Sequence, residues 1–339
     1  MAERIRLADV AEYAGVSTAT VSRVLNGKSS VAATTRQAVL TALDLLGYER
    51  PEKLRIRPGG LIGLIVPELT NPIFPHIVQR LEKEMSAQGY TPVLCAQSAG
   101  GTTEDQYVQI LLDQHVAGII FVSGLHADTT ADSARYRALL DLGIPFVTIN
   151  GRNPDIPVAD FSSDDEEAVR QMVRQLTVAG HRKIGLATGP ERFRPALDKV
   201  AGYRAGMAEH CPGQPERIVH TLFTVEGGQS AASQLLNDGV TAIICGSDLM
   251  ALGAIRQVRR EGLRVPEDVS VIGYDDSGLC AYTDPPLTTV HQPIDDITSA
   301  AVTTLMSMIT GSRPAQVPMF FQCKLVFRGS TAAAPGSED

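Results

Sequence analysis

The sequence predicts an α/β protein with a small all-helical head, a short linker and a larger two-lobed body of parallel sheets. Three observations point there. A chain of 339 residues suits two or three domains. From residue 61 onward, short β-branched runs alternate with helical stretches, as in parallel strands covered on both faces. Charge is divided too: residues 1–58 hold nine Lys/Arg against six Asp/Glu, a net +3, leaving −11 for the rest of a chain totalling −8. That asymmetry fits a nucleic-acid-binding head on an acidic body.

In the head, Leu7, Val10, Ala11 and Ala14 fall at i, i+3, i+4 and i+7, one apolar face of a two-turn helix. Gly15 suits the left-handed conformation that ends such a helix. Val16 turns inward, and Ser17 is a good N-cap for a second helix over 18–25. There Val21, Val24 and Leu25 form the inner face and Thr18, Ala19, Ser22 and Arg23 the outer one. Asn26-Gly27 closes the unit, and a third helix over 34–46 braces it through Ala38, Leu43, Leu45 and Leu46. This is the helix-turn-helix arrangement. The start of its second helix enters a major groove, where small or polar side chains reach base edges. Thr18 offers a hydroxyl, Ala19 a contact to a thymine methyl, and Arg23 a fork for guanine or phosphate. Ser17, Thr20, Thr35 and Arg36 suit phosphates. Leu7, Ser22 and Asn26 complete the candidate DNA-contacting set in the head.

Residues 48–60, with Pro51, Pro58 and Gly59-Gly60, form a linker too proline-interrupted for a long helix. Strands are expected at 61–66, 91–96, 118–122, 145–150, 183–187, 241–245 and 269–273. A ligand would then lie beyond their C-terminal ends, in a crevice between lobes.

Composition excludes several classes. Five scattered cysteines, with no CxxC pair and no histidines at ligand spacing, argue for buried thiols rather than disulfides or a metal site. No cofactor is expected. No apolar run reaches the roughly 18 residues of a membrane span, and residues 1–6 lack a secretory signal. A cytoplasmic, nucleoid-associated location follows. No G-x-S-x-G elbow, P-loop or metal motif supports an enzyme. Asp164-Asp165-Glu166-Glu167 reads as the acidic start of a helix, and His115, His181 and His291 as isolated surface or loop residues.

The runs Leu7-Ala8-Asp9-Val10-Ala11, Gly15 through Gly27, Thr35-Arg36 and Leu46-Gly47-Tyr48 resemble the head of the lactose-repressor/galactose-repressor (LacI/GalR) family. Ala32 departs from it, replacing a serine that usually caps the third helix. Asn71-Pro72-Ile73-Phe74, Asn150-Gly151-Arg152, Lys199 to Tyr203, Ser247 to Gly253, Gly273 to Asp276 and Pro286 to Gln292 are similar to that family's periplasmic-binding-protein-like core. The resemblance spans about residues 5–331. It implies a head over 1–47, a linker over 48–60, a body over 61–331 and a disordered tail over 332–339. The first lobe would take about 61–160 plus 293–322, and the second about 161–291 plus 323–331.

By the same resemblance, Thr18, Ala19 and Arg23 read bases. Leu54 either wedges into a minor groove, with Arg55 beside phosphate, or packs between head and body. Lys199, Ser247, Asp275, Gln292 and Asn150 would hydrogen-bond an effector. Lys199 stands where relatives commonly have arginine, so the bidentate fork is lost. Asn71 and Phe74 would line the first-lobe side, with Phe223 as an aromatic wall, although both rings could equally be core residues. The implied partners are an inverted-repeat DNA operator, a homodimer partner without a coiled-coil tetramer, and a small sugar. Within the family, residues 49–51, 67–75 and 121–130 are similar to actinobacterial maltose-type regulators. The effector implied is maltose or a maltodextrin acting as inducer, with cellobiose-type or acarbose-type sugars, or a corepressor, as alternatives. A transport-type sugar-binding protein is the competing class.

Overall fold

The computed structural model describes residues 5–25, 31–48, 59–98 and 100–336. The chain divides into two compact units, Met1–Arg57 and Pro58–Asp339.

In the first unit, helices α1 (Leu7–Tyr13), α2 (Thr18–Leu25) and α3 (Ala33–Leu46) enclose Val10, Ala11, Val21, Val24, Val39 and Ala42. Val16 packs against this cluster, as its place after the turn requires. Gly15 has φ +63°, the left-handed value that lets α1 end and α2 begin at once. Ser17 caps α2 by accepting from Thr20 N at 3.2 Å. The inner face of α3 differs from the sequence expectation. Val39, Ala42, Leu43 and Leu46 face the core, whereas Ala38 and Leu45 are exposed. A regular helix cannot turn Ala38 and Val39 to the same side.

The second unit has two lobes. The first runs β1 (Leu61–Val66), α4 (Ile73–Ala87), β2 (Thr91–Ala96), α5 (Glu104–Asp113), β3 (Gly118–Val122), α6 (Ala134–Asp141), β4 (Phe146–Ile149) and β5 (Asp160–Ser163). The chain then builds the second lobe with α7 (Asp165–Val178), β6 (Ile184–Thr188), α8 (Arg194–His210), β7 (Ile218–His220), α9 (Val225–Asn237), β8 (Ala242–Cys245), α10 (Asp248–Arg260), β9 (Ser270–Asp275) and β10 (Thr288–His291). It returns to the first lobe for α11 (Ile294–Ile309) and β11 (Pro318–Phe321), then crosses again for β12 (Lys324–Val326). Among the described residues the sheet orders are β11-β5-β4-β3-β1-β2 and β12-β10-β9-β8-β6-β7. Every pairing is parallel except β10 with β12.

Burial on both faces explains the β-branched runs. On β1, Ile62, Leu64 and Val66 join the core under α4 and α11, while Ile65 faces the opposite core with Leu111 and Tyr136. On β8, Ala242 and Ile244 pack toward Val169 and Tyr203, while Ile243 and Cys245 pack toward Leu235 and Val258. The strands missed in the sequence are short or polar. Strand β5 reads Asp-Phe-Ser-Ser, and β7, β10, β11 and β12 have only three or four residues.

Residues 332–336, expected in a disordered tail, are instead tied to the second lobe. Ala334 N donates to Ala179 O at 2.8 Å and Ala332 N to Ser270 Oγ at 3.0 Å. His181, expected near the surface, is fully buried, with Nδ1 2.8 Å from Thr241 Oγ1 and Nε2 3.1 Å from Ala332 O. These backbone and ring bonds give residues 332–336 the order their alanine-rich sequence did not announce.

Helices α9 and α10 cross at two glycines. A Cβ on Gly228 would stand 2.0 Å from Met250 O, and one on Gly253 1.9 Å from Val225 O. Both obstacles are backbone, so the helices would have to separate. Gly253→Ala is therefore expected to lower the urea midpoint, corresponding to about 1–3 kcal/mol of overpacking. An unchanged midpoint would show that this crossing is loose.

Candidate functional site

The head presents Thr18, Ala19 and Arg23 on the exposed side of α2, with Ser22 half-buried beside them. Ser17 and Thr20 sit at its N-terminal end, their hydroxyls 2.9 Å apart. Thr35 and Arg36 occupy the first turn of α3, half-buried. Leu7 is half-buried against the head core. Asn26, Leu54 and Arg55 lie outside the described residues. Orphan N–H groups and the positive helix end at the start of α2 suit contact with phosphate.

The body brings its eight expected residues together. Asn71, Phe74, Asn150, Lys199, Phe223, Ser247, Asp275 and Gln292 all line one cavity of about 170 Å³. Most stand just past the C-terminal ends of strands, where parallel sheets place ligands. Asn71 follows β1 and is buried. Asn150 follows β4 at φ +60° and donates from Nδ2 to Ser123 Oγ at 2.7 Å. Ser247 caps α10, its Oγ accepting from Met250 N at 3.2 Å. The Phe223 ring lies against backbone, since a Cβ on Gly189 would come 1.9 Å from Phe223 Cε2. Phe193, missed in the sequence, adds another ring to the wall. It sits in a loop whose sequence carries no periodic signal.

Asp275 ends β9 at φ +116° and is 8 % exposed. Its Oδ1 accepts from Gln292 Nε2 at 2.6 Å, and Gln292 Oε1 accepts from Ser163 Oγ at 2.8 Å. This chain of bonds joins the lobes at the crossover. Asp275 Oδ2 is buried and has no partner among the described residues. Burial first, and then the nearby Asp248 charge, push the Asp275 carboxyl well above the usual carboxylate range, while the Lys199 charge opposes them.

Two supporting groups were not singled out in the sequence. Asp165, which belonged to the acidic helix start, is buried and accepts from Lys199 Nζ at 2.8 Å and from the Tyr274 hydroxyl. The Lys199 ammonium also lies 4.0 Å from the Tyr274 ring centroid. The cation is thus already paired and covered by an aromatic face. Asp164 and not Asp165 caps α7, accepting from Glu167 N at 3.1 Å. Asp248 accepts from Thr289 Oγ1 at 2.5 Å, Ser277 N at 2.7 Å and Cys280 Sγ at 3.0 Å. Those bonds fix the turn after Asp275. Burial nevertheless raises the Asp248 carboxyl, and burial with the Asp248 charge pushes the Cys280 thiol up to about 12. Among the described residues, no group of three or more His, Cys, Asp or Glu could hold a metal ion. No described helix is long and apolar enough to cross a membrane.

A helix-turn-helix head and a two-lobed, cleft-bearing α/β body together define the class of a DNA-binding regulator. Residues 6–51 match the family described as bacterial regulatory proteins, lacI family, and residues 173–331 match the periplasmic binding protein-like domain. The chain is 53% identical over 337 residues to the HTH-type transcriptional regulator MalR of Streptomyces coelicolor, covering 98% of each. It is similar to the solved transcriptional regulator CelR–cellobiose complex, with TM-score 0.71, 31% identity and 96% and 100% coverage of the two chains. It is also similar to the lac repressor dimer bound to operator and the anti-inducer ONPF, with TM-score 0.69, 29% identity and 98% and 100% coverage. The chain belongs to the lacI family and is a DNA-binding transcriptional regulator, not an enzyme.

The raised carboxyls have a consequence for stability. A carboxyl whose folded pKa exceeds its unfolded one stabilises the fold most fully at low pH, and that contribution is lost as pH rises through the folded value. Asp275→Asn is expected to raise the urea midpoint at pH 8 and to raise it progressively less toward pH 4. A gain equal at both pH values, or a loss at pH 8, would contradict the sign of the shift.

Proposed function

We propose that this regulator represses sugar-utilisation genes: a homodimer grips an inverted-repeat operator and a neutral sugar, maltose or a maltodextrin, releases it. The observation that carries the effector assignment is Asp275, a buried carboxylate in the cavity wall whose Oδ2 has no partner among the described residues. A sugar hydroxyl supplies a donor there without adding charge. Asn71, Asn150 and Ser247 offer further neutral polar groups, and Phe74, Phe193 and Phe223 offer faces for C–H-rich sugar surfaces. Lys199 is already bonded to Asp165, which disfavours a phosphorylated ligand. The maltose class rests on the resemblance of residues 49–51, 67–75 and 121–130 to maltose-type regulators, with which the 53% identity to the regulator MalR accords. A second reading, a cellobiose-type effector, is supported by the likeness to the CelR–cellobiose complex.

The lac repressor likeness supports a dimer. Effector binding would stabilise the closed cleft and act on the head through the 48–60 linker, needing a coupling of only about 1–3 kcal/mol per site. Half-sites would lie about 10 bp apart, or a multiple of that.

Fluorescence anisotropy on the inverted repeat nearest the gene's own promoter, titrated with maltose, maltotriose and cellobiose, tests the reading. Release by a maltodextrin alone is expected. Release by cellobiose alone would favour the second reading, and tightening by any sugar would replace an inducer with a corepressor. On the DNA side, Thr18→Ala is expected to relax base preference at one position by about 1–3 kcal/mol of discrimination. Arg36→Ala should weaken all sequences alike and flatten the salt dependence. Uniform loss in both variants would contradict this division of labour.

A further inference from the structure

Peptide links between the lobes leave from one end of each sheet. They join β5 to α7, β10 to α11 and β11 to β12, beside Gln292. Strands β3 and β6 stand farther along their sheets, so the lobes can splay there unless something spans the gap. The structure has such a span. After β3, the loop carrying Asp128 and Thr129 meets the loop after β6 that carries Arg192 and Phe193. Arg192 Nε donates to Asp128 Oδ2 at 2.9 Å. Thr129 N and Thr129 Oγ1 both donate to Arg192 O at 2.8 Å. Asp128 and Phe193 form an isolated antiparallel β-bridge.

We propose that Asp128, Thr129 and Arg192 form a latch across the cleft mouth that holds the lobes closed and sets how fast a bound effector leaves. The effector part rests on the sugar-binding reading above; the latch itself does not. The two oxygens of Asp128 divide their work. Oδ1 accepts from Thr130 N at 2.9 Å and Thr130 Oγ1 at 2.6 Å, shaping its own loop, while Oδ2 reaches across. The Arg192 guanidinium lies 4.6 Å from the Phe193 ring centroid. Phe193 and Ala127, the neighbours of the latch residues, line the cavity, whereas Asp128 and Arg192 do not. The latch can therefore govern closure without touching ligand. With Arg192 half exposed, the ion pair alone is weak. Together with the two bonds to Arg192 O it biases a two-state opening, a role that needs only a small energy.

Hydrogen exchange at the Thr129 amide, measured on the full chain without sugar, reads the latch directly. The wild type is expected to protect this amide, and Arg192→Glu, which sets like charges together, should speed its exchange at least tenfold. Asp128→Asn, which keeps an oxygen for the Thr130 bonds, should do so by less. In stopped flow, maltotriose should leave Arg192→Glu about tenfold faster than wild type. A Thr129 amide that exchanges freely in the wild type, or protection unchanged in Arg192→Glu, would overturn the latch. If Thr129 responds as expected but no variant binds maltotriose, the latch stands and the sugar assignment fails.

Discussion

A carboxyl group taken out of water with only one oxygen bonded is costly to ionise, and Asp275 is held that way. Its backbone occupies the left-handed region, where a side chain is strained, and Asp276 follows at φ +56°. The surrounding structure maintains that turn. Asp248 anchors Ser277 and Thr289 on either side of it, and Arg328 donates to Asp276 Oδ1 at 2.6 Å. Gln292 reaches Asp275 from the crossover and passes the connection to Ser163 in the other lobe. The second-lobe sheet thus ends in a rigid, under-bonded acceptor. An arriving donor gains a hydrogen bond that the protein has already been organised to make.

Charge around that acceptor is arranged with the same economy. Lys199 approaches closely enough to oppose the rise of the Asp275 carboxyl, yet Asp165 and the Tyr274 ring hold its ammonium. A lysine at this position therefore serves the cleft as a fixed positive field, where an arginine would fork toward a ligand. Its single bond to Asp165 also links α8 to the start of α7. Lys199 and Asp165 cancel each other and burial holds the Asp275 carboxyl toward its neutral form, so the cleft carries little net charge, as the proposed hydroxyl-bearing ligand requires.

Periodicity carried the reading of the fold where elements were long or apolar. The α2 bounds matched at 18–25, and β1, β2 and β3 matched residue for residue, because buried parallel strands are continuous β-branched runs. Strands β5 and β11 were hidden because their residues carry polar groups or lie exposed at a sheet edge. All eight expected cleft residues line one cavity, since the motifs that carry the family resemblance sit at strand ends. Asp165 escaped because one helix start held four acids, and only the fold shows which of them turns inward to Lys199. Asp128 and Arg192 were equally unreadable. Contacts between loops 64 positions apart leave no local pattern.

In the proposed function, the effector satisfies the bare oxygen of Asp275. Carboxyl carbon NMR of Asp275, titrated with pH in the sugar-free protein and again with saturating maltotriose, tests it most directly. Without sugar the carboxyl should stay protonated unusually far up the pH scale, and with it should ionise at lower pH, because a donated hydroxyl bond favours the charged form. An Asp275 titration that is unmoved while maltotriose is demonstrably bound would show that the sugar does not bond this carboxyl.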